Sequence, residues 1–208
     1  MSHQSPSGAG RALPADVHRE TLSRLSPIRR EALTEEQRVF YDALTSRPGL
    51  NLAGLQGPGG VWLRVPKLRN PMGDLNRILR SGCGLDPRLV EVAILATARE
   101  MHNQFEWTMH EPEAIRTGVP PAIIDAIKSR KPVAGLSEAE AVLIELARGA
   151  IGAKHVSEAT YTRALEVFGE ETLICFSALI GTYALTAIVL SVFDQQLQEG
   201  QDPLLPVF

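Results

Sequence analysis

The sequence has little cysteine, few aromatic residues and no cluster of positive charge. Its 208 residues include two cysteines, Cys83 and Cys175, which lie far apart and outside any Cys-x-x-Cys spacing. This argues against a disulfide framework or a zinc module and favours a reducing cytoplasm. The 21 lysines and arginines are balanced by 24 aspartates and glutamates and form no basic block with interleaved aromatics. Nucleic acid is therefore not expected as a partner.

The sequence also lacks the alternating apolar pattern of β-strands. Residues 1–15 are rich in glycine, serine and proline without the apolar core of a signal peptide, and they are predicted to be a disordered tail. Residues 16–200 are predicted to form a single all-α domain whose core motif spans residues 71–130. The charge-free run at residues 173–193 is long enough to span a bilayer. Its serine, threonine, glycine and tyrosine residues favour a buried central or subunit-interface helix, so no membrane contact is expected.

Capping residues and helical spacing predict the individual helices. The predicted segments are residues 16–33 (broken near Pro27), 34–45, 71–82, 86–118, 120–128, 137–151, 157–169 and 173–193. In the segment at 71–82, Leu75, Ile78 and Leu79 are expected inward and Arg77 and Arg80 outward. The glycine-rich stretch 49–60, GLNLAGLQGPGG, matches no phosphate-binding spacing. It is expected to be a surface loop that lines a pocket together with Trp62 or Arg64.

Residues 86–118 place several ionisable side chains at helical spacing inside apolar sequence. Asp86 is expected as the N-cap and Pro87 at the first helical position. Glu91 follows within the apolar run from Leu89 to Ala98, which predicts a helix buried on most faces. A carboxylate in such surroundings must be paired, hydrogen-bonded or protonated. Glu91 is therefore either a general acid or base, or a structural carboxylate that bridges helices.

The second half of this stretch carries Asn103, Glu106, Trp107 and His110 on one helical face. A straight helix would hold Glu91 and His110 about 28 Å apart at about 1.5 Å per residue. A break at residues 102–104, with Asn103 as the N-cap of a second helix, would bring both glutamates and His110 into one pocket.

Each of these side chains also has a structural interpretation. Glu106 either orients His110 through their i, i+4 spacing or transfers a proton itself, and His110 itself is either catalytic or structural. Asn103 is either a cap or a substrate contact, and Trp107 either a core residue or a substrate contact. A metal site formed by His102, Glu106 and His110 is disfavoured, because the sequence shows no second-shell pattern for it.

Three segments resemble the carboxymuconolactone decarboxylase family, which includes alkylhydroperoxidase proteins of the AhpD type. They are RLVEVAILATAREMHNQFEWTMHEPEAIRTGV, the downstream VSEATYTRALEVFGEETLICFSALIGTYALTAIVLSVFD and the upstream QGPGGVWLRVPKL. In the last segment Gly59 stands where the family usually has an aromatic residue. The resemblance covers roughly residues 35–197. It implies an AhpD-like helical bundle, here with a helix-loop N-terminal extension, that assembles into homotrimers or hexamers.

The resemblance also narrows the chemistry. In the peroxidase branch a Cys-x-x-Cys pair precedes the histidine by seven and four residues, and Asn103 and Glu106 stand at those positions. Disulfide exchange requires two thiols, so thiol peroxidase activity by that route is excluded. What remains is the decarboxylase branch, which implies a lyase without metal or organic cofactor that acts on a small carboxylated lactone or enolisable acid.

The expected catalytic residues are His110 as proton shuttle, Glu106 as its orienting partner and Glu91 as a second acid or base. Asn103, Trp107 and Arg64 are expected to bind the substrate, with Arg64 as a carboxylate clamp. The alternative is an oligomeric, ligand-binding member of the family that has lost its reaction.

Overall fold

The computed structural model describes residues 12–46 and 54–206. Most of the expected disordered tail and residues 49–53 of the glycine-rich stretch lie outside these ranges. The described residues form eight α-helices and no β-strand; their one β-bridge joins His18 and Ser23. The prediction of an all-α fold is therefore confirmed.

The eight helices of the described residues follow one another along the chain in this order. They are α1 (Glu35–Ser46), α2 (Pro58–Leu63), α3 (Pro66–Arg77), α4 (Pro87–Glu100), α5 (Gln104–Arg116), α6 (Pro121–Lys128), α7 (Glu138–Ala147) and α8 (Glu158–Val192). A π-helical turn extends α3 through Ile78–Gly82, and another extends α7 through Arg148–Ala153.

Side-chain caps begin α4, α7 and α8 at the predicted residues. The Asp86 carboxylate accepts a hydrogen bond from the backbone N–H of Arg88 at 2.8 Å, which starts α4. Ser137 and Glu140 form the expected capping box at α7, and Ser157 caps α8. Each cap satisfies an N–H group that the first helical turn leaves without a partner.

Helix α4 is the centre of the core. Every side chain from Leu89 to Arg99 is buried, and α5, α7 and α8 all pack against this helix. Burial of one large aliphatic side chain contributes about 1.5–3 kcal/mol. This explains why α4 is apolar on nearly all faces, and it places Glu91 where water does not reach.

Residues 16–33 do not form the predicted helix. They fold as turns that end in a short 3-10 helix at Arg30–Ala32. The C-terminal segment after α8 provides hydrogen-bond partners for this backbone: Arg24 donates to the carbonyl of Phe193 at 2.8 Å, and Leu22 accepts from Gln196 at 2.7 Å. Tertiary hydrogen bonds therefore replace helical ones in this extension.

Helix α3 begins earlier than predicted, at Pro66. The side chains at its C-terminal end also point in directions that differ from the prediction. Leu75 and Ile78 are exposed, Leu79 is buried, and Arg80 is turned towards the buried Glu91. The π-helical turn changes the angular spacing of side chains at this point. The expectation that Arg80 points outward is therefore wrong.

Helix α8 has the predicted break at Gly169, which takes a left-handed φ of 70°. In the part of the chain that the structure describes, α8 is the one helix long and apolar enough to cross a membrane, yet half of its most apolar window is buried within the fold. A central helix of a folded domain has the same length and composition. Its outer face nevertheless exposes large apolar side chains at helical spacing, namely Ile174, Leu185, Ile188 and Val192.

Candidate active site

The break between α4 and α5 brings together the side chains that the sequence separates. His102 takes a left-handed φ of 50°, and the Asn103 side chain caps α5 by accepting from the backbone N–H of Glu106 at 2.9 Å. Helix α5 thereby folds back along α4. As a result, Nδ1 of His110 lies 2.8 Å from Oε2 of Glu91, as the predicted break requires.

Glu91 is held between two partners. Only 1% of this residue is exposed, and its Oε1 accepts a hydrogen bond from Nη2 of Arg80 at 3.0 Å. Its Oε2 is the atom that contacts His110. The adjacent guanidinium compensates the charge of the buried Glu91 carboxylate, and both of its oxygens have a partner.

This pairing determines which ring nitrogen of His110 carries a hydrogen. An ionised Glu91 only accepts, so Nδ1 of His110 is the donor. In the neutral ring Nε2 is then left with its lone pair. Nε2 lies 3.8 Å from Oε2 of Glu106, and the edge of the ring packs against Tyr183 with ring centroids 5.2 Å apart. His110 is therefore oriented with its basic nitrogen towards Glu106.

Glu106 differs from Glu91 in its electrostatic environment. Burial raises the pKa of Glu106, and the weaker effects of His110 and Arg80 act in the opposite direction. It has no direct ion pair with an arginine among the described residues. A carboxyl group in this environment retains its proton to higher pH than an exposed one. The site thus combines a carboxylate paired with Arg80 behind the imidazole and a carboxyl group of raised pKa in front of it.

A cavity of about 330 Å³ opens beside Glu106 and His110. Its polar lining includes Arg69, Asn76, Arg80, Glu106, His110 and Tyr183. Its apolar lining includes Phe40, Leu44, Trp62, Met72, Phe105 and Met109. Glu91 is not part of this wall; it lines a second, polar cleft that shares Arg80 with the cavity. A ligand in the cavity therefore meets Glu106 and His110 directly but not Glu91.

Three residues expected to bind the substrate do not line this cavity. Asn103 is occupied as the cap of α5 and donates to the carbonyl of Ala187 at 3.1 Å. Trp107 is fully buried in the core. Arg64 donates to the carbonyl of Ser26, because α2 turns its side chain towards the N-terminal extension. Trp62, in contrast, lines the cavity as the sequence suggested.

The metal hypothesis based on His102, Glu106 and His110 is not supported either. His102 is exposed and lies between two guanidinium groups, 3.4 Å from Arg99 and 3.3 Å from Arg130. Within residues 12–46 and 54–206 no group of three or more histidine, cysteine, aspartate or glutamate side chains has the geometry to hold a metal ion.

Both cysteines pack against the core outside the cavity lining. The hydrogen bond with Cys83 and burial raise the pKa of the Cys175 thiol to about 11. Cys175 is thus a thiol of low reactivity, and neither sulfur is placed to react with a ligand beside His110.

Two site residues were missed by sequence reasoning. Arg80 was expected on the outside, although a buried Glu91 requires a cation and Arg80 lies only eleven residues before it in the sequence. Tyr183 was treated only as a polar interruption of the apolar helix. The useful signal for both is that a polar residue inside a buried segment needs a partner.

Residues 66–148 match the family model described as Carboxymuconolactone decarboxylase family, which confirms the resemblance. The matched segment extends from the start of α3 to the beginning of the π-helical turn after α7 and contains Arg80, Glu91, Glu106 and His110. Tyr183 lies outside it. A comparison of the chain with curated proteins gave no match.

Proposed function

We propose, from the match of residues 66–148 to the carboxymuconolactone decarboxylase family model, that the protein is a lyase acting by proton transfer. Its substrate would be a small carboxylated lactone or another enolisable acid. The chemistry is assigned to side chains alone, without a metal or an organic cofactor. The observation that carries the proposal is the row of three groups formed by Glu91, His110 and Glu106.

For each carboxyl group we propose a role that differs from the one expected from the sequence. Glu91 is the orienting residue, since it fixes the Nδ1–H form of His110 from behind. His110 presents Nε2 as the base. Glu106 lines the cavity and, with its raised pKa, serves as the acid. Two titratable groups with opposite protonation thus face the same ligand.

In the proposed decarboxylation, the bond between the carboxylate carbon and the ring carbon breaks, and CO₂ leaves. The electron pair of that bond passes into the conjugated carbonyl group and gives an enolate. Tyr183 remains a neutral donor for the enolate oxygen, because burial raises its pKa. Nε2 of His110 accepts a proton from Glu106 and delivers it to the carbon, which regenerates the neutral ring, and Glu106 then takes up a proton from solvent.

The proposal can be tested before the substrate is known, because proton transfer at carbon leaves an isotopic trace. A panel of small lactone acids and enolisable carboxylic acids is incubated with the protein in D₂O, and site-specific deuterium uptake and CO₂ release are followed by NMR. We expect catalysed exchange with at least one acid and a loss of about 100-fold or more in H110Q.

The matched control for this experiment is H102Q, which changes the same residue type on the exposed turn outside the cavity. It should exchange at the wild-type rate. Exchange that persists in H110Q would contradict the mechanism. Absence of exchange and of CO₂ release across the panel would contradict the lyase proposal and favour a ligand-binding protein that has lost its reaction.

We further propose that the chain assembles with copies of itself, as trimers or hexamers. The exposed apolar face of α8 supports this, because Ile174, Leu185, Ile188 and Val192 are between 42% and 60% exposed and lie on one side of the helix. Light scattering after gel filtration should give three or six times 22.6 kDa. I188E should lower that mass, whereas V39E, a change at an exposed valine on α1, should not. A monomeric wild type would contradict the assembly.

A further inference from the structure

Arg69 is a second guanidinium group in the wall of the cavity that holds Glu106 and His110. It lies on α3, eleven residues before Arg80. The two arginines differ in what neutralises them. Arg80 is paired with Glu91, whereas no carboxylate lies within 4 Å of Arg69 in the described part of the chain. Arg69 is therefore the lining cation whose charge the fold leaves uncompensated.

The side chain of Arg69 is nevertheless held in place. Its guanidinium carbon lies 3.4 Å from the centroid of the Phe40 ring, and it donates from Nη1 to the side-chain oxygen of Asn70. Asn70 in turn donates from Nδ2 to Glu36 at 3.3 Å. Stacking on an aromatic face and a neutral hydrogen bond fix the position of a guanidinium without removing its charge.

Several donors of this guanidinium remain unused. The Nε–H of Arg69 is buried and has no hydrogen-bond partner, and within the described residues the other guanidinium nitrogens donate to one acceptor, the side-chain oxygen of Asn70. Buried polar groups are normally paired, so an unpaired one calls for an explanation. A planar fork of N–H donors at a cavity wall matches the two oxygens of a carboxylate.

We propose that Arg69 is the residue that binds the carboxylate of the ligand in this cavity, a role that the sequence pattern suggested for Arg64. The inference rests on the proposed function only in taking the cavity as the place where a small acid binds. Phe40 sets the position of the guanidinium, and the apolar side chains around it contact the rest of the ligand. The cavity thus discriminates a carboxylate from a neutral group of the same shape.

The test compares two probes of nearly equal size, 5-oxotetrahydrofuran-2-carboxylate and the corresponding carboxamide, by isothermal titration calorimetry. We expect the wild type to bind the carboxylate at least about 10-fold more tightly than the amide. R69Q should abolish this preference, and R69K should retain part of it, because lysine keeps the charge without the planar fork. K67Q is the matched control: it removes an exposed charge on the same helix outside the cavity and should retain the full preference.

The outcomes separate this inference from the proposed reaction. A preference that survives in R69Q, or a wild type that binds the amide as well as the carboxylate or binds neither, would overturn the role of Arg69 whatever the exchange experiment shows. Loss of the preference in R69Q, together with no exchange in D₂O, would support Arg69 and contradict only the lyase.

Discussion

Replacement of Glu91 by glutamine tests the orientation of His110 most directly. Glutamine has nearly the same shape, and its side-chain oxygen can still accept from Arg80. Its NH₂ group then faces Nδ1 of His110, where the carboxylate oxygen stood. Since that group donates, Nδ1 must accept, and the ring hydrogen moves to Nε2. The nitrogen that faces Glu106 and the cavity is then no longer a base.

The structure allows the losses of stability and of turnover in E91Q to be estimated. Removal of one member of a buried ion pair costs about 3–5 kcal/mol, and the 29% exposure of the Arg80 side chain and the retained hydrogen bond reduce this to about 2–3 kcal/mol. At about 2–4 °C per kcal/mol for a chain of this length, Tm should fall by roughly 4–12 °C. Turnover should fall by about 100-fold or more, because the wrong tautomer removes the general base.

The assay combines thermal denaturation, turnover, and long-range ¹H–¹⁵N correlation spectra that assign the hydrogen of the His110 ring. E100Q is the control, because Glu100 lies on the same helix, has a side chain only 6% exposed and is paired with Arg130. It should lose stability but keep its turnover and the Nδ1–H form of His110. Wild-type protein in the Nε2–H form, or an E91Q variant with unchanged tautomer and turnover, would refute the reasoning.

Three further predictions concern other parts of the site. Burial raises the folded-state pKa of Glu106 above its ordinary 4.5, so the stability conferred by its protonated form is complete below pH 4.5 and is lost as pH rises through the raised pKa. Urea denaturation should show the wild type losing stability relative to E106Q over that pH range. Parallel curves of stability against pH would contradict the raised pKa of Glu106. Y183F should lower kcat by roughly 10–100-fold with little change in Tm, since only the donor to the enolate is removed; an unchanged kcat would exclude that donor. G60A should lose about 1–3 kcal/mol by calorimetry, because its Cβ would collide with the backbone oxygen of Leu55. G73A, whose Cβ meets nothing within 4 Å inside α3, should instead gain about 0.5–1 kcal/mol, because alanine is the better helix former.

Local sequence signals predicted the helices and the break between α4 and α5 well. Asp86, Asn103 and Ser137 all cap the helices that follow them, since a cap depends on residues within one turn. The same reasoning failed for residues 16–33, whose backbone is bonded to the segment after α8. A partner more than 150 residues away leaves no trace in local periodicity.

The candidate site was predicted in part for a similar reason. The meeting of Glu91 and His110 follows from the spacing and the break between their helices. The roles of Glu91 and Glu106 do not follow from spacing, because each role depends on the surroundings of the carboxyl group. Arg80 compensates the charge of Glu91, whereas burial without such a partner raises the pKa of Glu106. Spacing along a helix cannot distinguish these two environments.

The sequence by itself thus determined the all-α class, the starts of most helices, the absence of the Cys-x-x-Cys pair beside His110, and the match of residues 66–148 to the family model. Each of these depends on residue types and on short spacings. Only the tertiary structure decided that Glu91 stands behind His110 and Glu106 in front of it, and that Arg69 rather than Arg64 reaches the cavity. Those assignments depend on which helix supplies the neighbouring charge and which side chains water can reach, and both arise only when distant segments pack together.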